Sequence, residues 1–218
     1  MKRLNRKVPL AVLALAALML ACSSISLPGV SGADSILNDD FSDSSSGWGT
    51  GTDTDSSIEY SNGGLQLKVF SQYYVTWSNP DTETYQNVHI DVSAQNNSTD
   101  NLTLFGIICH EQVTQSFYYL GVSADGYYTI AKSAVAQDNV TLKDGTSTAV
   151  PSDNQSFSIG ADCGNGTLAL YVNGQQLASV QDATYTSGHV GLFAWSDKAT
   201  NAVDVTFDNF VMKSLPQQ

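Results

Sequence analysis

The sequence predicts an all-β domain built as a two-sheet antiparallel sandwich. Three observations carry this. From Ile36 onward, apolar and polar residues alternate in short runs, the period-2 pattern of half-buried strands. Clusters of Gly, Asn, Asp and Ser break those runs at spacings suited to hairpins. No stretch carries the longer period and caps of a helix, so nothing supplies the crossovers of a parallel sheet.

Eleven strands follow in order. Residues 65–70 (LQLKVF) leave the Asn62-Gly63-Gly64 turn, 73–77 come next, and 88–92 (VHIDV) alternate cleanly. Residues 102–110 form a long apolar strand; 117–122 and 127–131 make a hairpin about Asp125-Gly126. Residues 157–162 precede a second hairpin, 167–172 and 176–180, turning at Asn173-Gly174. Residues 190–195 and 203–212 close the series. In 167–172, Leu168, Leu170 and Val172 share one face, and Thr167, Ala169 and Tyr171 the other. In the last strand Val203, Val205, Phe207, Asn209 and Val211 oppose Asp204, Thr206, Asp208, Phe210 and Met212. Apolar residues on both sides near its end predict a central or covered strand, costly to truncate.

Ahead of this domain, residues 1–22 read MKRLNRKVPLAVLALAALMLAC. Four basic residues precede an unbroken apolar run, residues 10–21. That run is too short for a bilayer core of about 30 Å, which needs about 20 residues, but it suits a secretory signal. Leu18-Met19-Leu20-Ala21-Cys22 resembles the bacterial lipoprotein signal, in which the cysteine becomes lipidated; Met19 stands where leucine is usual. The expectation is an exported protein, anchored to the cell envelope through lipid on Cys22, with simple secretion as the alternative. Residues 23–36, small and polar with Pro and Gly, read as a flexible tether, and 37–214 as the folded domain.

After Cys22 stand five bases against all 21 acids, a net −16. No basic patch is available to release counterions from phosphates, which argues against nucleic acid or anionic headgroups as partners. Contact with the membrane is left to the lipid alone.

The stretch Phe-Gly-Ile-Ile-Cys-His-Glu, residues 105–111, places Cys109, His110 and Glu111 side by side. Beyond Cys22 only Cys109 and Cys163 remain, 54 residues apart in an oxidising compartment. An even pair there points to a disulfide. A free buried thiol is one alternative. A Cys–His nucleophile, needing a third orienting group, and a zinc site, needing more ligands at closer spacing, are others.

Four segments together resemble the concanavalin A-like lectin/glucanase superfamily, nearest to its laminin G-like and 3-keto-disaccharide-hydrolase-type domains. They are GIICHEQVTQSFYYLGVSADGYYTIAK, FSIGADCGNGTLALYVNGQQLASVQD with Asp182 at its end, SGHVGLFAW and VTFDNFVM. The resemblance implies a jelly roll of two curved sheets with one concave face open to ligand, and neighbouring strands for Cys109 and Cys163. Laminarinase-type members hydrolyse glycans with a Glu-x-Asp-x-x-Glu strand motif. This chain has three glutamates, Glu59, Glu83 and Glu111, none close enough to another for that motif. No keto-sugar hydrolase activity is carried over, because its catalytic positions find no match.

Sugar sites set aromatic faces against pyranose rings, with a few polar groups fixing orientation. The candidates are Trp77, Trp195, His110, Glu111 and Tyr118. Tyr118 and the His110–Glu111 pair have plainer readings, core packing and a solvated strand end; Trp77 and Trp195 sit next to loop residues, where exposure and burial are both open. Trp48 is expected to close the sandwich edge. In laminarinase-type relatives an aspartate of the last strand ligates a structural calcium. The resemblance places Asp208 there, with Asn38-Asp39-Asp40 approaching it, so Asp40 and Asp208 are the candidate ligands. The expectation is a non-catalytic surface module binding carbohydrate or another extracellular polymer. A divergent glycan-cleaving enzyme using Asp and His groups near His110, or an envelope protein with a protein partner, are the alternatives.

Overall fold

A computed structural model describes residues 35–99, 101–113, 116–197 and 203–216. The expected signal sequence, Cys22 and nearly all of the expected tether lie outside the described residues. In chain order the strands are β1 (Ser35–Asp39), β2 (Gly51–Thr52), β3 (Ser56–Ser61), β4 (Gly64–Val69) and β5 (Val75–Ser78). Next come β6 (Val88–Asn96), β7 (Leu104–Val113), β8 (Ser116–Val122), β9 (Tyr127–Ser133) and β10 (Val140–Thr146). Last are β11 (Phe157–Gly164), β12 (Thr167–Val172), β13 (Gln175–Gln181), β14 (His189–Trp195) and β15 (Val203–Ser214). There is no helix among the described residues.

Two antiparallel sheets result, the jelly-roll sandwich expected. One runs β13-β12-β11-β6-β15-β4-β3-β2, with β1 added against the far half of β15; the other runs β10-β9-β8-β7-β14-β5. Inward residues from both fill one core, among them Leu65, Leu67, Ile90, Val92, Ile107, Leu120, Ile159, Leu170, Leu192 and Phe207. Leu168, Leu170 and Val172 are buried together as the alternation requires, although Ala169 is buried too.

Cys109 on β7 and Cys163 on β11 form the disulfide, with Cα atoms 6.5 Å apart. The two strands are neighbours across the sandwich, so the bond joins one sheet to the other. Trp48 is buried against Phe41 and Phe210, at 5.2 and 5.1 Å between ring centroids, and its Nε1 donates to Asp39 at 2.9 Å.

The last strand is central, between β6 and β4, but its alternation is not continuous. The register slips between Asp208 and Val211, and Asn209 takes φ 52°. This bulge advances the pleat by one residue. Val203, Val205 and Phe207 point inward before it, Phe210 and Met212 after it, and Asn209 is exposed. Apolar residues on both sequence parities therefore serve one core face. Strands β1, β2, β3 and β10 escaped the sequence reading because they are short or polar; β10 lies at a sheet edge, mostly exposed. Strand β5 starts at Val75 instead of 73, since Tyr73 sits in a turn at φ 55°.

Candidate functional site

The outer face of the six-stranded sheet does not follow the apolar-in, polar-out rule of a solvated antiparallel sheet. On β14, Val190, Leu192 and Ala194 face the core, while Phe193 and Trp195 face outward. On β8, Phe117 and Tyr119 face outward, as do Leu104 and Ile108 on β7 and Ala131 on β9. They form a second apolar cluster, with Val75, Trp77, Tyr127 and Trp195 half-buried around it.

Register aligns the rings. Phe193 lies opposite Trp77 on one side and Gly106 on the other, and Gly106 in turn lies opposite Gly121. The bare backbone at Gly121 leaves room for the Phe193 ring: a Cβ there would stand 2.8 Å from its Cζ. Tyr119 meets Phe193 edge-on at 5.9 Å and Trp195 at 6.2 Å; Phe117 lies 6.3 Å from Tyr119 and 5.7 Å from Trp77. These spacings suit mutually supporting aromatic pairs. Burial pushes the Tyr119 hydroxyl up to about 12, so it stays protonated.

Over this surface lies a recess of about 930 Å³, lined by Trp77, Trp195, Phe193, Tyr119, Phe117, Tyr73 and Tyr74, with Ser133, Gln137, Asp138 and Asn139 supplying polar groups. Trp77 also lines an adjoining recess of about 850 Å³ with Asn79, Asp81, Glu111 and Gln112. Trp195 also lines a third, about 440 Å³, with Asp125, Thr129 and Asn139. The two tryptophans are thus shared walls: Trp195 joins two recesses on this face, and Trp77 joins the central one to a recess that rounds the β5 edge towards Gly51, Thr52, Ser56 and Ile58 of β2 and β3.

The structure brings together Trp77, Trp195 and Glu111. Glu111 is buried beside Trp77 and accepts from Asn79 Nδ2 at 2.9 Å. His110 and Tyr118 lie away from this face, for local reasons. His110 sits in a register break of β7 at φ 54°. Its ring turns into the seam between sheets, its two nitrogens each 2.9 Å from a carbonyl oxygen, of Tyr185 and Gln86. Burial pushes its pKa down. Tyr118 occupies an inward parity on β8 and is fully buried. Its hydroxyl donates to Asp182 and accepts from the Tyr185 N–H at 3.0 Å. Lys132 completes this seam with a 2.7 Å ion pair to Asp182. Burial works against the Asp182 carboxylate, but Lys132, Thr184 and Tyr118 outweigh it and hold its pKa well below the usual range.

Sequence reasoning missed Phe117, Tyr119, Phe193 and the exposed Tyr73 as members of this face. The available signal was strands apolar at both parities, SFYYLG and VGLFAW, in an otherwise alternating chain.

The candidate calcium ligands offer little. Asp40 accepts from the Ser42 hydroxyl and N–H, and Asp208 from the Asn209 N–H. No group of three or more His, Cys, Asp or Glu side chains that could hold a metal occurs among the described residues. On the opposite sheet, His89 bridges Asp162 at 2.6 Å and Asp91 at 2.8 Å, and Tyr171 donates to Asp162 at 2.7 Å. The bonds to Asp162 and then Asp91 outweigh burial and raise His89 to about 9.

No protein-family profile matches the sequence, and no curated protein does. Solved structures do match. A carbohydrate binding module from Bacillus subtilis superposes at TM-score 0.63 with 13% identity, over 78% of this chain and 96% of its own. A Bacillus licheniformis β-glucanase superposes at 0.59 with 12% identity, over 85% and 100%. A Flavobacterium laminarinase superposes at 0.58 with 10% identity, over 83% and 100%. The fold is the concanavalin A-like jelly roll.

Proposed function

We propose that the outer face of the six-stranded sheet binds carbohydrate, as the non-catalytic module of an exported protein anchored through lipid on Cys22. The observation that carries the reading is the pair of half-buried tryptophans held by a buried aromatic floor beside amide and hydroxyl groups. A pyranose presents one apolar face and a rim of hydroxyls, and such a surface matches both. Rings already fixed in place lose little freedom on binding, which favours affinity. The likeness to a carbohydrate binding module and to glycan hydrolases supports a carbohydrate-related role.

A non-catalytic role is favoured by the carboxylates. Glu111 is the one glutamate lining these recesses. The aspartates beside it are engaged in their own loops: Asp53 holds the N–H groups of Asp55 and Ser56, and Asp81 the Glu83 N–H and Tyr85 hydroxyl. A glycosidase pair needs two carboxyl groups free on either side of a sugar bond.

The test is a glycan array followed by titration calorimetry on the best ligand. Trp77→Ala and Trp195→Ala are each expected to weaken binding at least tenfold with the fold intact. Unchanged affinity in both variants rejects the site. Cys22→Ser should release the protein from the membrane fraction; if wild type already fractionates as soluble, the anchor is rejected.

A further inference from the structure

The charge along the groove points to the class of glycan it admits. Among the described residues, no Lys or Arg lines any of the three recesses. Six carboxylates do: Asp53, Asp81 and Glu111 beyond Trp77, Asp138 in the centre, Asp125 and Asp197 beyond Trp195. None of the six belongs to an ion pair among the described residues, where Lys68 and Lys132 pair with Glu59 and Asp182. The sequence has no arginine after Arg6, and Lys198 lies outside the described residues.

We infer that this groove selects uncharged polysaccharide chains and rejects polyanionic ones such as uronic-acid or sulfated polymers. The inference rests on the carbohydrate-binding reading above. An anionic sugar seated on Trp77 or Trp195 would bring its charge between unpaired carboxylates. There, among the described residues, it would find no guanidinium or ammonium to replace the water it gave up, and like charges brought together at an interface are costly. A neutral chain pays no such cost. The sequence of three recesses with shared tryptophan walls also favours internal stretches of a chain over a single terminal sugar.

The experiment pairs neutral and anionic polymers of matched length, for example a β-glucan and its C6-oxidised form, at low and high salt. The neutral polymer is expected to bind roughly tenfold or more tightly at low salt, with the gap narrowing as salt screens the carboxylates. Asp138→Lys, in the lining of the central recess, should strengthen the oxidised polymer at low salt by more than it changes the neutral one, and so narrow the gap. Equal or tighter binding of the oxidised polymer overturns the selectivity even if the tryptophan variants show the site to be correct. Loss of neither polymer in Trp77→Ala or Trp195→Ala overturns the underlying site instead.

Discussion

At the scale of single residues, two clusters have consequences that can be measured. His89 lies between two carboxylates with its side chain 29% exposed, and its pKa is raised from 6.5 to about 9. A group raised on folding stabilises fully below its unfolded value and loses that contribution as pH climbs through the folded one. The melting temperature should therefore hold near pH 6 and decline between about pH 6.5 and 9. The effect is on the order of 1 kcal/mol once solvent screening is allowed for. His89→Gln should abolish that decline; a wild-type profile flat to pH 9.5 would contradict the arrangement. Gly121 is the second case. Gly121→Val drives a side chain into Phe193 and should cost about 1–3 kcal/mol in denaturant unfolding. It should also weaken glycan binding, because the floor under Trp195 shifts.

Among the strands, β15 decides most. It pairs with β6 along nearly its whole length, and on its other edge with β4 and then β1. The bulge at Asn209 lets one twelve-residue strand keep apolar residues on the core through a change of pleat. Asn tolerates the left-handed backbone there, and a β-branched residue does not. Asn209→Val should cost about 1–2 kcal/mol, whereas Asn209→Gly should be near neutral. Similar losses for both in chemical denaturation would remove backbone geometry as the reason. A comparable break at His110 explains why Glu111 reaches the groove while its neighbour turns into the seam.

For the molecule as a whole, the disulfide closes a 54-residue loop and joins the two sheets. On the chain-entropy account it contributes about 4 kcal/mol, so Cys109→Ala/Cys163→Ala should lower the melting temperature by roughly 10 °C. A loss under about 2 °C would mean the unfolded chain is already compact. The sandwich was legible in the sequence because period-2 alternation and turn residues act locally, and those signals survive in strands such as β4, β6 and β12. The cysteine pair was legible from the count and from the export that the sequence leads one to expect. The aromatic face of the candidate site was only half so: Trp77 and Trp195 stood out beside loops, but Phe117, Tyr119 and Phe193 resembled ordinary core. Which apolar parity faces the other sheet is a long-range fact that register settles. His110 and Tyr118 misled because a bulge and an inward parity, neither visible in residue type, send them to the seam.

The first strand enters the larger sheet beside β15, while the groove belongs to the smaller one. Tension applied ahead of Ser35 with a polymer held at the tryptophans would run through β1, β15, β6 and β11, then cross to β7 at Cys163–Cys109. At that crossing a covalent rivet shares the load with the chain links between the sheets, such as residues 70–74 from β4 to β5, so on the proposed tether and groove reduction should make the hold mechanically weaker even where equilibrium affinity is unchanged.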